Sequence, residues 1–157
     1  MRQLLSAVDY CHQNGVCHFD LKLDNIMINP ETHEVTIIDF GLCDFITEEN
    51  GGYFQRRVGS EEYCPVELLE KDTLYNGAKV DVFCLGVVLF AILSATFPFD
   101  VKKRKSALRA GLPAPSLRIP FPVSEECRDL LTSMLESNPT KRISIEQILQ
   151  HPWMSQL

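Results

Sequence analysis

Apolar and polar positions follow different rhythms along the chain, and each rhythm predicts an element. Leu4, Leu5, Val8 and Cys11 recur at the spacing of one helix face, and Gly15 stands where a helix C-terminus needs it. Residues 1 to about 14 therefore read as a helix, with Tyr10 and His12 as packing residues. Val16-Cys17 and Ile26-Met27-Ile28 are short apolar runs that read as strands on either side of a polar loop. Thr36-Ile37-Ile38 reads as a further strand, reached through the turn Asn29-Pro30-Glu31-Thr32. From Asp81 to Leu93 nearly every position after the first is apolar. That all-round pattern predicts a buried helix, too short to cross a bilayer.

Further along, Ser124-Glu125-Glu126 offers a capping hydroxyl and then acids in a first turn. Leu130, Leu131, Met134 and Leu135 form the apolar face of the helix it opens. Ser144 and Gln147 have capping-box spacing at the start of a last helix. Two stretches lack a rhythm. Residues 42–58 are polar and contain glycine, which reads as a mobile loop. Residues 101–122 combine the basic run Lys102-Lys103-Arg104-Lys105 with several prolines, which reads as a flexible break with the run on a solvated loop face.

Composition narrows the class. The chain has 157 residues, 45% of them hydrophobic and 23% charged, which suits one globular domain. The net charge of −6 argues against nucleic acid as a partner. Six cysteines show no paired spacing, and neither a signal peptide nor a membrane-spanning stretch is read. Free thiols, an intracellular setting (cytoplasmic or nuclear) and no membrane partner are expected.

The candidate chemistry sits in the polar loop His18-Phe19-Asp20-Leu21-Lys22-Leu23-Asp24-Asn25. A loop held between short strands can fix polar groups and leave their tips accessible. A second polar turn, Asp39-Phe40-Gly41, directly follows the strand at 36–38. A carboxylate at a strand end, beside a glycine that admits close backbone approach, suits a hard cation.

These two stretches together resemble the catalytic loop and the metal-binding loop of protein kinases, H-R-D-L-x-x-x-N followed by D-F-G. The resemblance continues through Gly59-Ser60-Glu61-Glu62-Tyr63-Cys64-Pro65-Val66-Glu67, Asp81-Val82-Phe83-Cys84-Leu85-Gly86 and Arg142 to His151-Pro152-Trp153. It is closest to serine/threonine kinases of the calmodulin-dependent and AMP-activated group. It implies an α+β, mainly α fold: a kinase-like large lobe with a small β element over residues 1–154, then a tail at 155–157. It implies ATP and Mg²⁺ as cofactors and a protein hydroxyl as acceptor. Asp20 and Lys22 would be catalytic, and Asn25 and Asp39 would hold the metal. Lys22, Asp24, Asn25, Met27 and Asp39 would face the nucleotide, with Met27 under the adenine and Val88 and Ile92 behind it. Ser60 and Glu62 would face the substrate. His18, Phe40, Gly41, Glu67, Asp81 and Arg142 would support the site, Glu67 by pairing with Arg142 and Asp81 by accepting catalytic-loop N–H groups. Residues 42–58 correspond to the activation loop.

Departures from the family pattern shape the expectations further. Ser60 replaces threonine, Pro65-Val66-Glu67 replaces A-P-E, and Phe83 and Cys84 replace tryptophan and serine. Phe19 stands where regulated kinases carry arginine, and Arg56 stands at the usual phosphothreonine position. A phosphate switch between those two places is therefore not expected. No glycine-rich phosphate loop or strand lysine precedes the catalytic loop in these residues, so the small lobe is expected to be absent, and half of the ATP site with it. A separate small lobe or a regulatory protein is then a candidate partner. A catalytically inactive interaction module and a truncated gene product are the alternative readings.

Overall fold

The structure, a computed structural model, describes residues 1–70 and 73–156. Helix α1 (Arg2–Gln13) buries Leu4, Leu5 and Val8, the face that the periodicity marks. Gly15, at φ +73°, turns the chain out of the helix and donates its N–H to the His12 carbonyl at 3.0 Å. Strand β1 (Val16–Cys17) follows. Strands β2 (Ile26–Ile28) and β3 (Val35–Ile37) form an antiparallel hairpin with Ile26 opposite Ile37. Asn29 holds the turn, its side-chain oxygen accepting the Glu31 and Thr32 N–H groups at 2.9 and 3.2 Å. The strand expected at 36–38 lies one residue earlier, at Val35–Ile37, and the pairing carries on past it through one more bond, from the Ile38 N–H to the Asn25 carbonyl at 2.9 Å.

The segment expected to be a mobile loop is tied down at two points. Strand β4 (Asp44–Phe45) pairs with β1, and strand β5 (Tyr53–Phe54) pairs with β6 (Tyr75–Asn76). Strands this short show no period, and their partners are distant in sequence. Between β5 and β6 lies the short helix α2 (Val66–Leu69).

Helix α3 (Gly77–Ser94) forms the middle of the core, with Val80 to Ala91 buried without a break. It starts one turn before the expected Asp81, because the Asn76 side chain caps it through the Lys79 N–H at 3.0 Å. Asp81 therefore lies inside the helix, not at its start. At 18 residues α3 is long and apolar enough to cross a membrane, contrary to expectation, and 72% of it is buried inside the fold. Gly86 lets α3 approach the next long helix: a Cβ there would lie 2.9 Å from Met134 Cβ.

Residues 101–109 are not a flexible break. They form helix α4 (Val101–Arg109), capped by Asp100 through the Lys103 N–H at 3.0 Å. Nor does the whole basic run face solvent. Arg104 is 3% exposed, its guanidinium lies 5.5 and 5.1 Å from the Phe83 and Phe99 ring centroids, and it donates to the Cys64 carbonyl at 2.7 Å. Flat, weakly hydrated guanidinium groups pack on aromatic rings in this way.

Helix α5 (Glu125–Met134) and helix α6 (Ile145–Leu149) complete the scaffold. Ser124 caps α5, both halves of the Ser144–Gln147 capping box are formed, and Leu130, Leu131, Met134 and Leu135 are buried as expected. A 3-10 turn (Pro152–Gln156) runs across the expected boundary after 154, and Leu157 lies outside the described residues. The fold is helix-rich with three two-stranded sheets among the described residues. All six cysteines are free thiols.

Candidate active site

The loop between β1 and β2 is anchored from below by α3. Asp81 accepts the His18 N–H at 2.8 Å on one carboxylate oxygen and the Phe19 N–H at 2.9 Å on the other. His12 adds a third contact, its Nε2 lying 2.8 Å from Asp81 Oδ2. His12 is thus part of the support and not plain helix packing; the pair is 69 residues apart, so no local pattern shows it. Phe19 is a non-glycine residue at φ +65° and is fully buried against Phe54 and Tyr75. Such a backbone persists only where its surroundings fix it.

That anchoring presents Asp20. Its Oδ1 accepts the Ser60 N–H at 3.1 Å and the Ser60 hydroxyl at 2.9 Å. Its Oδ2 accepts from Lys22 Nζ at 2.7 Å and from Asn25 Nδ2 at 3.1 Å. Asn25 Nδ2 also donates to the Asp20 carbonyl at 2.8 Å, and Lys22 Nζ donates to Ser60 Oγ at 3.1 Å. Asp20, Lys22, Asn25 and Ser60, read from separate stretches of sequence, form one network. Burial pushes the Asp20 carboxyl up, but the bonds from Lys22, Ser60 and Asn25 outweigh it and hold the group below the usual carboxylate range. Lys22 is raised by its bond to Asp20, against a smaller opposing effect of burial, and the charges of Asp24 and Asp39 raise it further.

Asp39, two residues past β3, is in the left-handed conformation at φ +61°, and its side chain accepts the Gly41 N–H at 3.2 Å. It is exposed, while Asn25 is buried with a side-chain oxygen that accepts no hydrogen bond from the described residues. A carboxylate and an amide oxygen are hard donors, and this pair fits Mg²⁺ in kind. Phe40 meets His18 edge-on at 4.7 Å, and His18 Nε2 lies 3.1 Å from the Ile38 carbonyl. Phe40 is 41% exposed, so it rests on His18 without being enclosed. Met27 and Ile92 are exposed, whereas Val88 is fully buried in the core.

Two further expected residues, Asp24 and Glu62, are exposed and charged at the rim. Their neighbour Glu61 is held by Lys105 at 2.5 Å. The remaining support forms as expected: Glu67 Oε1 lies 2.6 Å from Arg142 Nη1, with both residues buried. Arg142 also donates to the Glu136 carbonyl at 2.9 Å and the Lys79 carbonyl at 2.8 Å, and it lies over Phe83.

Asp20 is thus braced on both oxygens with an ammonium bonded to it, and Asn25 and Asp39 offer one buried and one exposed hard donor. Residues 1–154 match the family described as Protein kinase domain, and the chain belongs to that family. It is 38% identical over 154 residues to "Protein kinase kin1" of Schizosaccharomyces pombe, covering 98% of this chain and 17% of that one. It is 37% identical over 153 residues to "Probable serine/threonine-protein kinase MARK-A" of Dictyostelium discoideum, covering 98% and 14%. It is 36% identical over 155 residues to "Serine/threonine-protein kinase ppk25" of Schizosaccharomyces pombe, covering 97% and 35%. The chain thus spans a minor part of each relative. The motif-based resemblance to serine/threonine kinases agrees with these relatives.

Proposed function

We propose that these residues are the large lobe of a serine/threonine protein kinase that transfers a phosphoryl group from ATP to a protein hydroxyl. The bracing of Asp20 by Ser60, Lys22 and Asn25 carries this reading. A carboxylate so fixed, and kept ionised by its donors, can orient an acceptor hydroxyl and take its proton. Lys22 is placed to offset charge on a transferring group. Asn25 and Asp39 would hold Mg²⁺, and Asp24 and Met27 would face the nucleotide. Mg-ATP, when bound, supplies the phosphoryl group and cationic charge to stabilise its transfer. Ser60 and Glu62 face the substrate side, and His18, Phe40, Gly41, Glu67, Asp81 and Arg142 hold the frame.

On this reading the nucleotide needs further contacts from a part of the protein, or a partner, beyond these 157 residues. The exposed apolar side chains of Met27, Ile38, Phe40 and Leu42 support a second body over this edge, a small lobe or a regulatory protein. The test uses the longest natural form of the protein, labelled ATP and a mixed protein substrate. Mg²⁺-dependent label on serine and threonine, lost in Asp39→Asn, is expected. Unlabelled substrate under every metal condition, or label that survives Asp39→Asn, contradicts the reading and favours an interaction module.

A further inference from the structure

Arg56 sits where three parts of the site meet. Its guanidinium carbon lies 5.2 Å from the centroid of the Phe19 ring. Its Nε lies 3.2 Å from Asp44 Oδ2, an ion-pair contact in which the N–H is not aligned on the oxygen. Its Nη2 donates to the Leu42 carbonyl, and its own carbonyl accepts the Tyr75 hydroxyl. One residue therefore joins the segment after Asp39-Phe40-Gly41, the strand pair of β5 and β6, and the residue next to Asp20.

Phe19 is the part of the catalytic loop that most needs holding. Its φ of +65° is unfavourable for a side chain of this size. Asp81 fixes its N–H, Phe54 meets its ring edge-on at 4.9 Å, and Gly59 comes so close that a Cβ there would lie 2.6 Å from its carbonyl oxygen. Ser60, which follows Gly59, is the residue that bonds Asp20 Oδ1. A change in the seating of Phe19 is thus passed to Asp20 along the chain and through Ser60.

We propose that Arg56 is a positioning residue for Asp20: it stacks on Phe19 and grips Asp44 and Leu42, latching the loop over the site without covalent modification. The inference rests on the reading of Asp20 as the hydroxyl-orienting group. The latch uses a side chain always present, where a phosphate would have to be added. Arg57 makes the contrast. It is more exposed, and among the described residues its ion-pair contact is with Glu61, at 4.0 Å.

The test needs no turnover, so it can fail independently of the kinase reading. Four versions of this chain are compared at neutral pH: unchanged, Arg56→Ala, Arg56→Lys and Arg57→Ala. Amide exchange is read at His18 to Asp20 and across 42–45, together with the carboxyl ¹³C line of Asp20. Arg56→Ala is expected to speed exchange at Phe19 and Asp20 roughly fivefold or more and to shift or broaden the Asp20 line. Arg57→Ala should match the unchanged protein, and Arg56→Lys should fall between, since it keeps a charge without the guanidinium plane. Phosphatase treatment of the unchanged chain should alter nothing. If Arg56→Ala does not fold, Arg56→Lys decides by the same readings. An Asp20 line and exchange pattern unmoved by the Arg56 changes, an equal effect from Arg57→Ala, or sensitivity to phosphatase overturns the proposal.

Discussion

Arg142 Nη1 meets Glu67 Oε1 at 2.6 Å across 75 residues of sequence, and both side chains are shut away from water. This buried pair joins the segment that carries Ser60 to the far end of the helical scaffold. Removing one partner leaves the other charge buried and alone, the expensive outcome. Arg142→Ala is expected to lower stability by about 3–5 kcal/mol in urea unfolding. The double change Glu67→Leu with Arg142→Met should cost less than Arg142→Ala, because no charge is stranded. A loss under about 1 kcal/mol for Arg142→Ala would show that the pair is not structurally important.

Gly59 tests the close approach beneath Asp20. An added methyl group would lie 2.6 Å from the Phe19 carbonyl oxygen, and Gly59 sits at φ +89°. At Gly111, φ is +64° with open space around it. Gly59→Ala should therefore cost more than about 1 kcal/mol and exceed Gly111→Ala, which meets backbone strain alone. Equal costs in thermal unfolding would mean that the contact with Phe19 is not tight.

Asp20 should leave a pH signature. Its folded-state carboxyl is held below the ordinary aspartate value, so charging it favours the folded state. That contribution is fully present above the unfolded value of about 3.9 and is lost as pH falls through the lower folded value. The stability difference between the unchanged chain and Asp20→Asn should be flat from neutral pH down to about 4 and should move against the unchanged chain below that. A difference that changes between pH 5 and 7 would contradict the assignment.

Rim charge gives a prediction about substrate. Asp24 and Glu62 are exposed without a basic partner among the described residues, whereas Glu61 is paired with Lys105. Unpaired carboxylates beside Asp20 attract basic side chains. A peptide array with the longest natural form should favour arginine or lysine N-terminal to the target residue. Preference for acidic residues there would refute it.

What the sequence reveals follows the range of the forces involved. The face of α1, the caps at Ser124 and Ser144 and the Asn29 turn depend on neighbours within four residues, and all are legible. The Glu67–Arg142 pair and the grip of Asp81 were legible only through family motifs, since each spans more than sixty residues. The α4 helix was missed because its charges suggest solvent; Asp100, a capping residue just ahead of Val101, was the available signal. Nothing local shows that Arg104 folds inward onto Phe83 and Phe99, or that His12 reaches Asp81. Phe19 and Arg56 stood out together in the sequence as the two places of an absent phosphate switch, and their direct contact emerged only in three dimensions.

The most direct measurement is the rate of phosphoryl transfer by the longest natural form of the protein carrying Asp20→Asn. This change keeps the side chain's size and one accepting oxygen, and removes the charge and the proton-accepting capacity. The account predicts that kcat falls roughly a hundredfold to ten-thousandfold while KM for ATP stays within a factor of a few. An Asp20→Asn protein that transfers phosphate at the rate of the unchanged one would contradict it.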